Sequence, residues 1–251
     1  MEVTRELPHA QHPQSHHVPE QPPVQKLAVT AAARGDLDMS CWALIPLKNT
    51  CLSKSRLMPH LTRQQRQALI DHMLDRVIDA ARSCAHVDAV ALVGSRLPPR
   101  SDLLILQERQ PGLNPALKQA RSVLRQKGAQ ELVILHADLP LIRADDIDAL
   151  IEQGRQQGLG IAPDKLDQGT NALYLPTDLP FDFQFGNTSL RCHVAGANDL
   201  HIQPALVRRQ GLGLDIDTLD DLTALGSETA ALFAHTTRFG SSSSWKLSAL
   251  C

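Results

Sequence analysis

Aromatic residues are scarce in this chain, and their scarcity argues against one class of function. Only 3% of its 251 residues are Phe, Trp or Tyr. Proteins that hold single-stranded nucleic acid stack bases on aromatic rings, and nucleic-acid-binding domains usually carry a basic excess. The formal net charge here is -2. We therefore expect no nucleic acid among the partners.

Paired cysteines and long apolar runs are also missing. The five cysteines contain no C-x-x-C pair, and their number is odd, which argues against a disulfide scaffold or a structural zinc site. No apolar run approaches the roughly 20 residues of a membrane span. Residues 1–25 lack the apolar core of a signal peptide. We therefore expect a reduced, cytoplasmic protein with no membrane partner.

Two glycine-rich phosphate-binding motifs are absent as well. The chain contains neither G-x-G-x-x-G nor G-x-x-x-x-G-K-[ST], which disfavours a dinucleotide-binding dehydrogenase and a P-loop enzyme. Nucleotide-binding folds that hold phosphates with a basic loop and Mg²⁺ remain open.

The middle of the chain alternates between strand-like and helix-like patterns. Residues 1–38 are rich in Pro, Gln and His without periodicity and predict a disordered extension, whereas 39–236 predict one folded domain and 237–251 a flexible tail. The alternation predicts an α/β fold with a mainly parallel sheet flanked by helices. The predicted strands are 41–47, 87–94, 102–106, 131–137, 159–163, 171–176 and 212–216; helices are predicted after a capping box at 62–65, at 114–128, 143–154 and 189–197, and from Thr218.

Acidic residues follow two of these predicted strands. Asp138 ends the run "LVILHAD", and Asp215 and Asp217 lie in "LDIDT". Ligands of such sheets gather at the carboxyl ends of the strands, and residues two apart on an extended segment point the same way. Carboxylates facing one way favour a hard divalent cation, so these residues predict a Mg²⁺ site. The alternative is that Asp217 merely caps the helix that begins near Thr218.

A basic polar loop follows the first strand. Lys48, Lys54 and Arg56 lie in "PLKNTCLSKSRL", and several cations at the end of a strand suit the concentrated negative charge of a polyphosphate. A solvated basic loop is the alternative interpretation.

Two further segments combine glycine with hydroxyl groups. Thr170 lies in "DKLDQGTNAL", and Gly186 and Ser189 lie in "FGNTSLRCH". Backbone amides near a glycine and a helix start can hold an anion, with Arg191 and His193 as further candidate donors. Taken alone, each segment fits an ordinary turn better than a binding site.

With these motifs in hand, the sequence resembles the guanylyltransferases that make the phosphodiester side chain of the deazaflavin coenzyme F-420. The resemblance covers about residues 42–225 and implies a single α/β domain of the nucleotide-diphospho-sugar transferase type. It is carried, in the family's order, by "IPLKNTCLSKSRL", "PGLNPALKQA", "LHADLPLI", "IAPDKLDQGTNAL", "FGNTSLRCH" and "LDIDTLDDL".

The resemblance also implies an activity, which is transfer of GMP from GTP to a phosphorylated three-carbon acid. Known acceptors in the family are 2-phospho-L-lactate, phosphoenolpyruvate and 3-phospho-D-glycerate, and a homodimer is the candidate assembly. Two alternatives stay open: an enzyme of the same fold that uses another NTP or acceptor, and a nucleotide-binding regulatory protein without turnover. The implied roles are Mg²⁺ binding for Asp138, Asp215 and Asp217, triphosphate contact for Lys48, Lys54 and Arg56, acceptor binding for Thr170, Gly186 and Ser189, and a place near the nucleoside for Asn114.

Overall fold

The computed structural model describes residues 39–47, 54–95, 97 and 100–226. The predicted extension 1–38, the tail 237–251 and the loop residue Lys48 lie outside these residues. The domain boundaries given above therefore stay predictions.

The strands form one mixed, mostly parallel sheet, which confirms the predicted fold class. In the described part of the chain the sheet has the order β3-β2-β1-β4-β6-β5-β7. Strand β6 runs antiparallel to β4 and β5, and the other neighbouring pairs are parallel. The strands are β1 (Cys41–Leu47), β2 (Ala89–Gly94), β3 (Leu104–Gln107), β4 (Glu131–Leu135), β5 (Gly160–Pro163), β6 (Thr170–Pro176) and β7 (Ala205–Leu206).

The antiparallel direction of β6 follows from the length of its connection. Only residues 164–169 separate β5 from β6. A parallel return needs a crossover of a dozen or more residues, whereas a short loop joins antiparallel strands. The segment "DKLDQG" therefore forms a hairpin at the edge of the sheet where β4 ends.

Helices flank the sheet, and the longest begins as its sequence predicts. Thr62 and Gln65 form a capping box, with bonds from Gln65 N to Thr62 Oγ1 at 3.2 Å and from Thr62 N to Gln65 Oε1 at 2.7 Å. Within the ranges described, no helix is long and apolar enough to cross a membrane. The helices are α1 (Arg63–Ser83), α2 (Leu113–Gln126), α3 (Ala144–Gln157), α4 (Ser189–Asp199), α5 (Gln210–Gly213) and α6 (Leu219–Ala224), with a 3-10 helix at Ser55–Leu57.

The predicted strand at 212–216 is wrong. Residues Gln210–Gly213 form α5, and 214–217 follow without strand pairing. Leu212 and Ile216 are fully buried, but they pack in different apolar clusters and not in the sheet. A short apolar run reports burial and does not by itself distinguish a strand from an irregular segment. The sheet instead ends at β7, which the sequence analysis did not predict.

Strand β4 shows why the sheet is buried on both sides. Leu132 and Ile134 lie in one large apolar cluster, and Val133 and Leu135 lie in the other. Alternate side chains of a strand point to opposite faces, so a continuous apolar run fits a strand covered by helices on both sides. After the buried Glu131 at its start, the strand stays apolar until its carboxyl end, and polar residues follow at the edge that carries Asp138.

A third, smaller cluster fixes two segments near that edge. Leu57 from the 3-10 helix and Met73 from α1 pack with Ile216 and Leu222. This packing holds the loop that carries Lys54 close to the segment that carries Asp215 and Asp217.

Glycine at position 154 is required by packing, and we predict that Gly154→Ala destabilises the domain. A Cβ there would lie 2.2 Å from a ring atom of Tyr174, a side chain that is fully buried. Overpacking of this kind costs roughly 1–3 kcal/mol, which exceeds the gain of up to about 1 kcal/mol from replacing a helical glycine by alanine.

The matched control is Gly196→Ala in α4. A Cβ at that position meets its nearest atoms at 3.5 and 3.6 Å, so helix propensity should make the variant neutral or more stable. Urea unfolding of both variants checks the prediction, and equal stability of the two would contradict it.

Candidate active site

The candidate site lies beyond the carboxyl end of β4. Asp138 follows this strand, and Asp215 and Asp217 follow α5. The N–H of Ile216 donates to the carbonyl of Asp138 at 3.3 Å, which joins the two acidic segments through their backbones. The structure thus brings the predicted acidic residues together, although the second segment is not a strand.

These three aspartates form a compact cluster of oxygen donors. One carboxylate oxygen from each of Asp138, Asp215 and Asp217 lies within 4.8 Å of the others. The helix cap proposed as an alternative role for Asp217 belongs to Thr218, whose hydroxyl accepts a bond from Asp221 N at 3.3 Å. The side chain of Asp217 is half exposed and faces the cluster.

Asp215 is affected both by burial and by repulsion from its two neighbours. Burial, and then the charges of Asp138 and Asp217, raise the pKa of Asp215 to about 6. The Asn171 amide donates to Asp215 Oδ1 at 3.4 Å. Carboxylate oxygens held this close fit the preference of Mg²⁺ for hard oxygen ligands.

Lys54 bridges two of these three aspartates. Its ammonium lies 2.6 Å from Asp138 Oδ2 and 2.8 Å from Asp217 Oδ1, and its side chain is only 6% exposed. Burial would lower the pKa of Lys54, but the two carboxylates outweigh it and raise the pKa above its usual value. Lys54 therefore neutralises part of the charge of the acidic cluster. Its predicted contact with a triphosphate stays a prediction.

The backbone of Lys54 supports this placement. Its φ of 59° and ψ of 38° lie in the left-handed region, directly before the 3-10 helix. For a residue with a Cβ this conformation costs roughly 1–2 kcal/mol. The attraction in the two ion pairs offsets this cost. The strained backbone is therefore consistent with an ammonium held in this position.

The other basic residues of the loop are less engaged. Arg56 lies on the 3-10 helix and is exposed. Lys48 is outside the described residues. A role for either in binding phosphates stays a prediction.

The two predicted acceptor segments lie side by side. Leu190 N donates to Gln168 O at 3.1 Å, and Ser189 N donates to Gly186 O at 3.1 Å. Ser189 begins α4 and is almost fully buried. Apart from the two chain neighbours of Gly186, no atom of the described residues lies within 4 Å of the place where a Cβ on Gly186 would sit. A ligand therefore has room to approach the Gly186 backbone from that side.

Thr170 meets the second segment through a histidine. Its hydroxyl lies 3.0 Å from His193 Nδ1, and His193 Nε2 lies 3.0 Å from the backbone nitrogen of Gln184. Both Thr170 and His193 are buried. His193, which sequence reasoning offered as a direct donor to a ligand, is therefore fully occupied inside the protein.

Asn114 uses its amide to hold the same segment. Its Nδ2 donates to Phe185 O at 3.1 Å, and its Oδ1 accepts from Phe185 N at 2.8 Å. Asn114 also borders a cavity of about 490 Å³ between α2 and residues 182–183. Its predicted place near a nucleoside stays a prediction.

The sequence did not indicate the contacts of two residues at this site, Lys54 and Asn171. The ion pairs of Lys54 cross long stretches of chain, and no local pattern indicated them. Asn171 was noted only as part of a polar segment, yet it donates to the carbonyls of Leu212 and Gly213 at 3.0 and 3.3 Å as well as to Asp215. Its place beside Thr170 in "GTNAL" was the available signal.

Comparisons with known proteins agree with this geometry at the level of fold. A protein described as a nucleotide-diphospho-sugar transferase from Desulfovibrio desulfuricans G20 superposes with a TM-score of 0.62 at 15% identity, covering 80% of this chain and 96% of that one. CMP:2-keto-3-deoxy-manno-octonic acid synthetase in complex with CTP gives 0.52 at 15% identity, covering 78% and 99%.

Sequence relatives are more specific. The chain is 36% identical over 192 residues to the phosphoenolpyruvate guanylyltransferase of Sphaerobacter thermophilus, covering 74% of this chain and 93% of that protein. It is 28% identical to the 2-phospho-L-lactate guanylyltransferase of Methanobrevibacter smithii, covering 72% and 81%. The family model described as "Guanylyl transferase CofC like" matches residues 41–233. The chain therefore belongs to the CofC-like guanylyltransferase family and is a nucleotidyltransferase.

Proposed function

We propose that the protein transfers GMP from GTP to a small phosphorylated three-carbon acid, with release of pyrophosphate, as a step in coenzyme F-420 biosynthesis. The observation that carries the proposal is the cluster of Asp138, Asp215 and Asp217, two of which pair with the ammonium of Lys54. Phosphoenolpyruvate is the first acceptor to test, because relatives at 30–36% identity carry its name. The cytoplasm, which supplies GTP, is the compartment for this activity, and a homodimer stays the candidate assembly.

The reaction needs alignment and charge neutralisation more than proton transfer. An oxygen of the acceptor phosphate attacks the α-phosphorus of GTP. A new phosphorus–oxygen bond forms, the bond to the β-phosphate oxygen breaks, and pyrophosphate leaves with the electron pair. A phosphate monoester has a second pKa of about 6, so the attacking oxygen is anionic near neutral pH without a general base.

Each part of the site suits one part of this reaction. Asp138, Asp215 and Asp217 would hold Mg²⁺, which when bound supplies positive charge to the phosphates during transfer. Lys54 and Arg56 lie on the loop beside this cluster and suit the triphosphate. Thr170, Gly186 and Ser189, together with the helix start at Ser189, suit the anionic acceptor. Most of the rate enhancement then comes from holding the two anionic substrates in position and neutralising their charge.

One assay tests the proposal directly. Pyrophosphate release is measured with each of the four NTPs against phosphoenolpyruvate, 2-phospho-L-lactate and 3-phospho-D-glycerate. GTP with one of these acids should give turnover. Turnover with another NTP alone would point to an enzyme of the same fold with different substrates, and nucleotide binding without turnover would point to a regulatory protein.

We predict that Asp138→Asn lowers turnover by at least about a hundredfold, since even residues that only support metal ligands contribute about 10–100-fold. The fold should persist, because Asp138 lies at the rim of the site and not in the apolar core. Mn²⁺ binding by calorimetry should weaken in parallel. Asp220→Asn, an exposed carboxylate of α6, is the control, and normal Mn²⁺ affinity in Asp138→Asn would refute the metal role.

We predict that Lys54→Met binds Mn²⁺ about tenfold more tightly, a change of about 1.4 kcal/mol. The ammonium occupies one oxygen of Asp138 and one of Asp217, so a divalent cation on these carboxylates would compete with it and the variant removes the competitor. Without added cation its melting temperature should fall, because the carboxylates lose their neutralising partner. Lys127→Met, at an exposed position, is the control, and unchanged or weaker Mn²⁺ binding in Lys54→Met would contradict the competition.

We predict that Ser189→Ala raises the KM for the acid about tenfold to a hundredfold, as expected for loss of a hydrogen bond to a charged group. Affinity for GTP should change little. Thr188→Ala removes a neighbouring hydroxyl that lies 3.8 Å from Cys192 Sγ and should leave both constants unchanged. Loss of GTP binding in Ser189→Ala without any acid would assign this segment to the nucleotide.

A further inference from the structure

His193 is a polar side chain placed deep inside the protein. It lies on α4 and has no exposed surface. The rings of Phe185 and Phe181 pack against it, with centroid distances of 4.8 and 5.7 Å. A buried imidazole in an apolar cage is costly unless its two nitrogens are paired, and both have partners here.

The backbone fixes the tautomer of this imidazole. The N–H of Gln184 can only donate, and its acceptor is His193 Nε2 at 3.0 Å. Nε2 therefore carries no proton, and in a neutral ring the proton must be on Nδ1. Burial, and then the neighbouring His136, lower the pKa of His193 to about 4, which agrees with a neutral ring near neutral pH.

The tautomer of His193 in turn determines whether the Thr170 hydroxyl can donate a hydrogen bond to a further partner. Nδ1–H donates to the Thr170 hydroxyl oxygen at 3.0 Å. A hydroxyl has one hydrogen to donate and two lone pairs to accept with, so this bond leaves the Thr170 hydrogen for another partner. The opposite tautomer would take that hydrogen and leave Thr170 with lone pairs alone, which repel an anion.

We propose that His193 is a positioning residue that sets the Thr170 hydroxyl as a hydrogen-bond donor to the phosphorylated acid. The inference deepens the proposed function and relies on Thr170 lying at the acceptor position. His193 itself has no surface with which to touch a substrate. Through Gln184 the same ring also ties β6 to the segment that leads into Gly186, so both acceptor-binding segments share one buried support.

Two amide substitutions each remove one of the two hydrogen bonds that the His193 ring makes and keep the other. In His193→Asn the amide nitrogen takes the place of Nδ1 and can donate to Thr170, but nothing accepts from Gln184. In His193→Gln the amide oxygen takes the place of Nε2 and accepts from Gln184, but the donor to Thr170 is lost. The expected result is a rise in acceptor KM of about tenfold or more for His193→Gln and a much smaller rise for His193→Asn, with GTP affinity unchanged in both.

A double-mutant cycle with Thr170→Val distinguishes positioning from general packing. If His193 acts through the hydroxyl, His193→Gln should add little to the KM of a protein that already carries Thr170→Val. Losses that multiply, or an Asn variant as impaired as the Gln variant, would overturn the proposal.

Two measurements on the wild-type protein complete the test. Nitrogen-15 NMR of the His193 ring should show the proton on Nδ1, and a proton on Nε2 would overturn the proposal even if no variant folds. Calorimetric binding of phosphoenolpyruvate separates this inference from the proposed function. Acid binding that weakens in His193→Gln but not in His193→Asn supports positioning even if the wild type turns over no NTP, in which case the proposed function alone fails.

Discussion

Mutual repulsion among Asp138, Asp215 and Asp217 is the constraint around which this end of the protein is organised. Oxygens of three carboxylates within 4.8 Å of one another raise the free energy of the folded chain unless positive charge lies among them. The backbone bond from Ile216 to Asp138 and the apolar packing of Leu57 and Met73 against the same segment hold the carboxylates together against that repulsion.

The positive charge comes from the chain itself. Lys54 contacts the carboxylates from a backbone in the left-handed conformation, and its side chain is nearly buried. A cation that binds the carboxylates relieves their mutual repulsion, and this relief contributes to its binding free energy.

Much of this architecture can be predicted from local sequence patterns, because the burial of a strand and the direction of a short connection depend on residues close together in the sequence. The run "LVIL" predicts a strand covered on both faces, and the carboxyl-end rule then places Asp138 at the ligand edge. The pattern "LGLDI" failed because burial of Leu212 and Ile216 is satisfied outside the sheet, and β7 has only two residues. The partners of Lys54 and His193 could not be predicted, since those contacts join segments that are adjacent only in the folded chain. The antiparallel direction of β6, by contrast, was available from the six-residue connection 164–169.

The reversed strand β6 divides the sheet into two halves. On one side, β3, β2, β1 and β4 run parallel and lead into Lys54 and Asp138; on the other, β6, β5 and the 164–169 hairpin carry Thr170 and contact the start of α4. A hairpin can change its length or residues without altering the crossover connections that define a parallel sheet. The hairpin also reaches the charged side, because its Lys165 forms an ion pair with Asp221 of α6. A change of residues in this one exposed loop therefore alters the surroundings of Thr170 and of the segment after α5 together.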